Sequence, residues 1–196
     1  MAETSGLTPA MRQYMQAKQE LSEDTILLFR MGDFYELFFE DARTAAPLMD
    51  IVLTARAGVP MCGVPYHAVR TYISRILAGG LKVAIAEQIE DPKLAKGLVK
   101  RDITQIITPG TLLDDTLLSA AKSNFLLALC PGKERYGLAL LDLSTGDFRL
   151  SEARGAAALE IEFSRLQPSE GIVPASWLEA RQKEGFPPGL DRQITW

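Results

Sequence analysis

The chain has 196 residues, and compact domains typically run ~100–150 residues, so the length allows one large domain or two modest ones. Hydrophobic residues make up 47% and charged residues 23%, an ordinary globular balance that excludes a disordered or low-complexity polypeptide. The net charge of −4 argues by itself against a polyanionic partner, but its distribution points the other way. Glu20 to Asp41 carry seven acids against one base, Arg30. Ile51 to Ala86 carry Arg56, Arg70, Arg75 and Lys82 with no acid, and Lys93, Lys96, Lys100 and Arg101 follow. Segregated charge lets a local basic surface survive an acidic total. The apolar runs Ile26–Phe29, Phe125–Cys130 and Leu138–Leu141 are far shorter than the ~18 residues of a membrane span. No basic stretch precedes an apolar segment after Met1, so a cytoplasmic protein is expected. Cys62 and Cys130 stand far apart with no Cys-x-x-Cys grouping, the pattern of reduced thiols and not of a zinc site.

In chain order, Thr8-Pro9 reads as an N-cap followed by proline at the first helical position, predicting a helix through Glu20. The apolar run Thr25 to Met31 suits a buried strand. Phe38, Ala42, Ala45 and Met49 recur at helical spacing, with Pro47 near the end of that helix. Ile51 to Thr54 reads as a strand, and Arg56 to Tyr66 as a loop punctuated by Gly58, Pro60, Gly63 and Pro65. Val69, Tyr72, Ile73, Ile76 and Leu77 form a clear helical stripe stopped by Gly79-Gly80, and Lys82 to Ala86 and Asp102 to Thr108 read as strands. A helix between two strands with short links predicts a mixed α/β layer with at least one parallel pair. Thr108-Pro-Gly-Thr111 and Asp114-Asp115 mark a boundary. Beyond it, Phe125–Cys130, Tyr136–Leu143 and Asp147–Leu150 predict a three-stranded meander, joined by a loop at Pro131–Arg135 and a turn at Ser144-Thr-Gly146. A helix over Gly155–Leu166 and a strand at Gly171–Val173 follow, which opens an α/β domain without finishing it.

Gly32-Asp-Phe-Tyr-Glu-Leu-Phe38 supports two readings. Asp33 as N-cap with Glu36 as its capping-box partner would send Phe34 into the core along the Phe38/Ala42 stripe. Alternatively, Phe34 projects outward as an apolar wedge between base steps and Glu36 hydrogen-bonds the displaced base. This heptapeptide, with Pro60-Met-Cys-Gly-Val-Pro-Tyr-His67, Val83-Ala-Ile-Ala-Glu-Gln88, Ile106-Ile-Thr-Pro-Gly-Thr111 and Leu141-Asp-Leu-Ser-Thr-Gly146, resembles the N-terminal part of the MutS family of bacterial mismatch-repair proteins. The resemblance runs from Leu7 to about Trp196 and thins after Ser151.

The resemblance implies a mixed-sheet α/β mismatch-recognition domain over 1–108, a linker over 109–122 and an incomplete ribonuclease H-like α/β connector domain over 123–196. It implies that Phe34 stacks on a mispaired base from the minor groove and that Glu36 contacts the same base. A carboxylate facing a polyanion becomes useful on taking up a proton, because a neutral acid donates to a purine N7 and an ionised one only accepts. Arg56 and Arg101 align with positions that meet the phosphate backbone, and Met61 lies on the loop that reaches into the minor groove beside the wedge. Lys100 and His67 are their neighbours, although a lone histidine after Pro-Tyr also suits a helix start or a core hydrogen bond.

The partners so implied are double-stranded DNA with mispaired or unpaired bases, a MutL-type protein and, in an intact protein, a second copy, with the 196 residues monomeric and nucleoid-associated. Gly132-Lys133 is followed by Glu134, with no glycine five positions before Gly132, so the chain carries no phosphate-binding loop. It is therefore read as a DNA-binding module and not an enzyme. ATP and Mg are expected only in the intact protein, and DNA binding by these residues alone is expected to be weak. Two rival readings remain open: a metal-dependent nuclease built on Asp142, Asp147 and Glu162, and an interaction module relaying allosteric signals.

Overall fold

The computed structural model describes residues 7–90, 97–112 and 123–185, so Lys93, Lys96 and linker residues 113–122 lie outside the described residues. The chain divides into two compact units, Met1–Ile107 and Thr108–Trp196.

In the first unit, helix α1 (Pro9–Gln19) begins as its sequence dictates, with Thr8 Oγ1 accepting the Met11 N–H at 3.3 Å and proline in the first turn. Strand β1 (Thr25–Met31) follows. The expected helix start at Gly32-Asp33 is instead a hairpin. Gly32 has φ +60° and Asp33 is not left-handed, the signature of a type II′ turn whose twist matches paired strands. β2 (Phe34–Phe38) therefore returns antiparallel to β1, with Met31 opposite Phe34 and Phe29 opposite Glu36. Helix α2 (Phe39–Met49) starts without a side-chain cap and runs through Pro47, ending at left-handed Asp50.

The strand expected at Ile51–Thr54 lies later, as β3 (Thr54–Arg56), and most of the expected loop is strand β4 (Val59–Pro65). Ala57 and Gly58 between them are both left-handed, at φ +50° and +78°, which makes a type I′ hairpin turn. A 3₁₀ turn at Tyr66–Ala68 leads into α3 (Val69–Ala78), and β5 (Lys82–Gln88) and β6 (Arg101–Ile107) complete the sheet. The strand order is β3-β4-β2-β1-β5-β6, with β1 and β5 parallel and every other neighbouring pair antiparallel. The expected parallel pair is present.

One face of this sheet packs α1 around Met11, Tyr14, Leu27, Phe29, Phe38, Ala84 and Ala86. Tyr14 meets Phe29 and Phe38 edge-on at 5.5 and 5.2 Å. A buried polar cluster ties the layers together. Asp41 Oδ2 of α2 accepts from Tyr14 Oη at 2.6 Å and from the Leu27 N–H at 2.9 Å, while Lys18 Nζ lies 2.8 Å from Asp41 Oδ1. Burial first, and then the Asp41 charge, push the Tyr14 hydroxyl well above its ordinary pKa.

In the second unit, β7 (Phe125–Pro131), β8 (Arg135–Asp142) and β9 (Asp147–Arg154) form the expected antiparallel meander. α4 (Gly155–Leu166) crosses to β10 (Glu170–Ile172), parallel to β7, and α5 (Ala175–Glu184) follows, giving the order β10-β7-β8-β9. Phe125, Leu127 and Leu129 alternate into a core completed by Leu138, Leu140, Leu159 and Phe163.

Asp142 organises the β8–β9 turn. Its carboxylate accepts the Ser144 N–H at 3.0 Å, the Ser144 hydroxyl at 2.6 Å and the Asn124 N–H at 3.0 Å. The Ser144 hydrogen bond leads in holding this carboxyl below its ordinary value of 3.8, against the opposing effect of burial. A depressed carboxyl contributes stability that is complete above the unfolded value and is lost as pH falls through the folded one. Asp142→Ala is therefore expected to cost the unit ~1–3 kcal/mol by orphaning these donors. Asp142→Asn should flatten the acid limb of unfolding below pH 3.8, as followed by circular dichroism.

Candidate nucleic-acid interface

The register of the first sheet settles which side chains share a face, because residues directly opposite in a ladder point the same way. Phe34, Glu36 and Phe38 of β2 lie opposite Pro65, Gly63 and Met61 of β4, and Arg56 of β3 lies opposite Val59. Across β1 and β5, Glu36 lies opposite Phe29, Phe29 opposite Ala86, and Gln88 opposite Arg101. Phe34, Glu36, Arg56, Met61 and Arg101 therefore project from the face that α1 covers in part.

Phe34 opens β2 beside the hairpin and is 47% exposed, so the reading that sends it into the core does not hold. Glu36, two residues on, is only 7% exposed. A buried carboxylate is costly unless paired, and its partner is Arg56, which grips it from both guanidinium ends: Nη1 to Oε2 at 2.5 Å and Nη2 to Oε1 at 2.8 Å. Such fork-to-fork pairs fix orientation as well as charge. Gly63, opposite Glu36, presents no side chain; a Cβ there would sit 3.6 Å from Glu36 Cγ and 3.3 Å from the Tyr35 carbonyl oxygen. The Arg56 side chain remains partly open to solvent on a fully exposed edge strand.

Arg101 faces inward. Its Nε donates to the Arg30 carbonyl, and its Nη1 donates to the Val99 carbonyl at 2.7 Å and to Gln13 Oε1 at 3.2 Å. Its guanidinium carbon lies 5.2 Å from the Phe29 ring centroid. Burial lowers its pKa, and the Glu36 charge acts against that shift. Met61 lies within β4 and not on a loop, partly buried against the α1 core. Lys100 is exposed just before β6, its backbone N–H donating to Glu90 Oε1 at 2.6 Å. His67 is exposed on the 3₁₀ turn, edge-on to Tyr66 at 5.7 Å.

The sequence pattern missed the opposite side of the hairpin. The Arg30 guanidinium carbon stacks 3.9 Å from the Tyr66 ring centroid and 5.4 Å from that of Tyr35, and its Nε donates to the Gly32 carbonyl at 2.6 Å. Tyr35 Oη donates to Glu87, and the Tyr66 N–H donates to the Asp33 carbonyl at 2.9 Å. Burial leads in pushing the Tyr35 hydroxyl up to about 12. These contacts fix the hairpin that carries Phe34 from behind, but their partners are up to 52 residues apart and leave no local signature.

The three carboxylates of the nuclease reading do not converge. Asp142 is spent on its turn, Asp147 on Arg149 at 2.5 Å and Glu162 on Arg165 at 2.6 Å. Among the described residues, no group of three His, Cys, Asp or Glu side chains is placed to hold a metal, and no helix is long and apolar enough to cross a membrane.

Two mixed α/β units, the first with an exposed aromatic and a paired carboxylate on one sheet face, define a two-domain α/β protein. Residues 8–116 match the family description MutS domain I and residues 124–192 match MutS domain II. The chain belongs to the MutS family. Proteins named DNA mismatch repair protein MutS are similar to it: that of Syntrophomonas wolfei is 50% identical over 186 residues, covering 88% of this chain and 22% of the relative. That of Myxococcus xanthus is 51% identical over 176 residues, covering 88% and 20%. The chain thus spans about a fifth of the length of the relatives it matches.

Proposed function

We propose that this chain binds duplex DNA through the Phe34 end of the first sheet and reads mispaired or unpaired bases there. The observation that carries this reading is Phe34 itself: a large aromatic 47% exposed, on a hairpin held rigid from behind, with Glu36 two residues along on the same face. A mismatched pair costs less to unstack and kink than a Watson–Crick pair, so a protein that bends DNA at an inserted wedge converts local weakness into affinity. An aromatic platform tolerates every base, which suits a reader of many different errors. Glu36, on the same face, supplies a hydrogen bond to the stacked base. Arg56, Lys100 and His67 lie at the surface to meet the backbone, whereas Met61 and the internally bonded Arg101 support the face from within.

On this proposal ATP and Mg, the second copy and a MutL-type partner belong to the remainder of a full-length MutS-type protein, acting on cytoplasmic, nucleoid DNA. The test is fluorescence anisotropy of the chain on a G·T duplex and its matched control across a salt series. The expected result is weak binding to both, weakening with salt as phosphate contacts require, and tighter on the mismatch. Equal affinities, or no binding at low salt, would overturn the assignment.

A further inference from the structure

We infer that Arg56 is a shared counter-ion, held on Glu36 while the site is empty or meets matched DNA and handed to a backbone phosphate when a displaced base takes the carboxylate. This rests on the proposed function above and adds the step that couples its two parts. The bidentate contact, at 2.5 and 2.8 Å, makes Glu36 and Arg56 together electrically neutral. A neutral pair releases little counter-ion on meeting DNA, so a closed pair contributes little sequence-independent affinity. Arg56 nonetheless keeps a partly exposed side chain on the edge strand β3, where a phosphate can reach it. Exchanging one bidentate anion for another is close to balanced in energy, so a modest gain at the base suffices to tip it. Arg101, whose charge also faces Glu36, is held by Arg30, Val99 and Gln13 and stays behind to keep the carboxylate compensated as Arg56 leaves. Mismatch binding then adds a phosphate contact that matched binding lacks.

The test is a double-mutant cycle with Glu36→Gln, Arg56→Ala and the double variant, titrated on matched and mismatched duplexes over a salt series. Glu36→Gln should tighten matched binding roughly threefold to tenfold and steepen its salt slope by about one, because Arg56 is freed for phosphate. That gain should vanish in the double variant. With Glu36 intact, Arg56→Ala should weaken mismatched binding roughly tenfold and matched binding by clearly less, because the matched complex loses no phosphate contact and meets only the bared Glu36 charge. A matched-duplex gain of the same size with and without Arg56 would mean simple repulsion by the carboxylate and would overturn the proposal, as would equal losses on both duplexes in Arg56→Ala. Where Arg56→Ala fails to fold because Glu36 is stranded, Arg56→Lys and the double variant, which strands no charge, carry the comparison. A wild-type chain without mismatch preference defeats the reading of Phe34 and Glu36. A matched-duplex gain that needs Arg56 still supports the shared counter-ion, so the two failures are distinguishable.

Discussion

Phe34→Ala is expected to remove most of the preference for a mispaired duplex while leaving matched binding within about twofold. Stacking of a base on an aromatic is worth ~1–3 kcal/mol, so mismatched affinity should fall roughly 10- to 100-fold at fixed salt. Matched binding is carried by phosphate contacts that Phe34 does not make. The ring stands outside the buried core cluster, 47% exposed at the start of β2, and surface substitutions of this kind shift stability by ~0.5 kcal/mol or less. Anisotropy on G·T and matched duplexes, beside a thermal melt, separates the possibilities. An unchanged melt with selective loss of mismatched binding makes Phe34 the wedge. Equal weakening of both duplexes would make it a nonspecific contact, and no change would move recognition elsewhere on the chain. Phe34→Trp, which keeps a stacking surface, should retain the preference.

Much of this architecture was legible because local rules and tertiary packing agree. Thr8-Pro9 does cap a helix, the Ile73/Ile76/Leu77 stripe does bury one, and the strands Phe125–Pro131 and Arg135–Asp142 keep their alternation because one face packs with α4. The hairpin at Gly32 resembles a helix start in sequence for a physical reason. Asp33 and Glu36 have capping-box spacing, and a strand with an exposed Phe34 and a buried Glu36 inverts the usual alternation. Only Arg56, twenty residues on, makes that inversion tolerable. The same inversion concealed β4, whose Pro60 and Pro65 look like loop punctuation, although Pro65 ends its ladder with β2 and Pro60 pairs with Ala55 of β3. The family resemblance brought Phe34, Glu36 and Arg56 together as candidates, yet the ion pair between the latter two and the internal bonding of Arg101 emerge only when six strands are in register. Local pattern and global fold part company around the candidate site.

The largest loss of stability is expected from Asp41→Ala. This carboxylate is 5% exposed and joins three elements at once: Tyr14 and Lys18 of α1, the Leu27 N–H of β1 and α2 itself. Its removal leaves a central-strand N–H without its acceptor and a lysine without its counter-charge. Breaking a buried, hydrogen-bonded pair from one side costs ~3–5 kcal/mol, a large share of the ~5–15 kcal/mol that typically holds a domain together. For a unit of about 100 residues this lowers the melting temperature by roughly 12 °C or more. Tyr14→Phe, which removes one hydrogen bond and keeps the ring against Phe29 and Phe38, should cost only ~1 kcal/mol. The two variants also differ at high pH. Because the Tyr14 hydroxyl is raised in the fold, its stabilisation is complete below the unfolded value of 10.0 and is lost as pH climbs from there toward the folded one. Tyr14→Phe should therefore blunt alkaline unfolding, and Asp41→Ala should do so in part, since burial outranks the Asp41 charge among the causes of that shift. Thermal melts from pH 7 to 11.5 separate these outcomes. A neutral Asp41→Ala would mean that α1 docks through its apolar stripe alone, with the polar cluster contributing nothing to the face on which Phe34 and Glu36 stand.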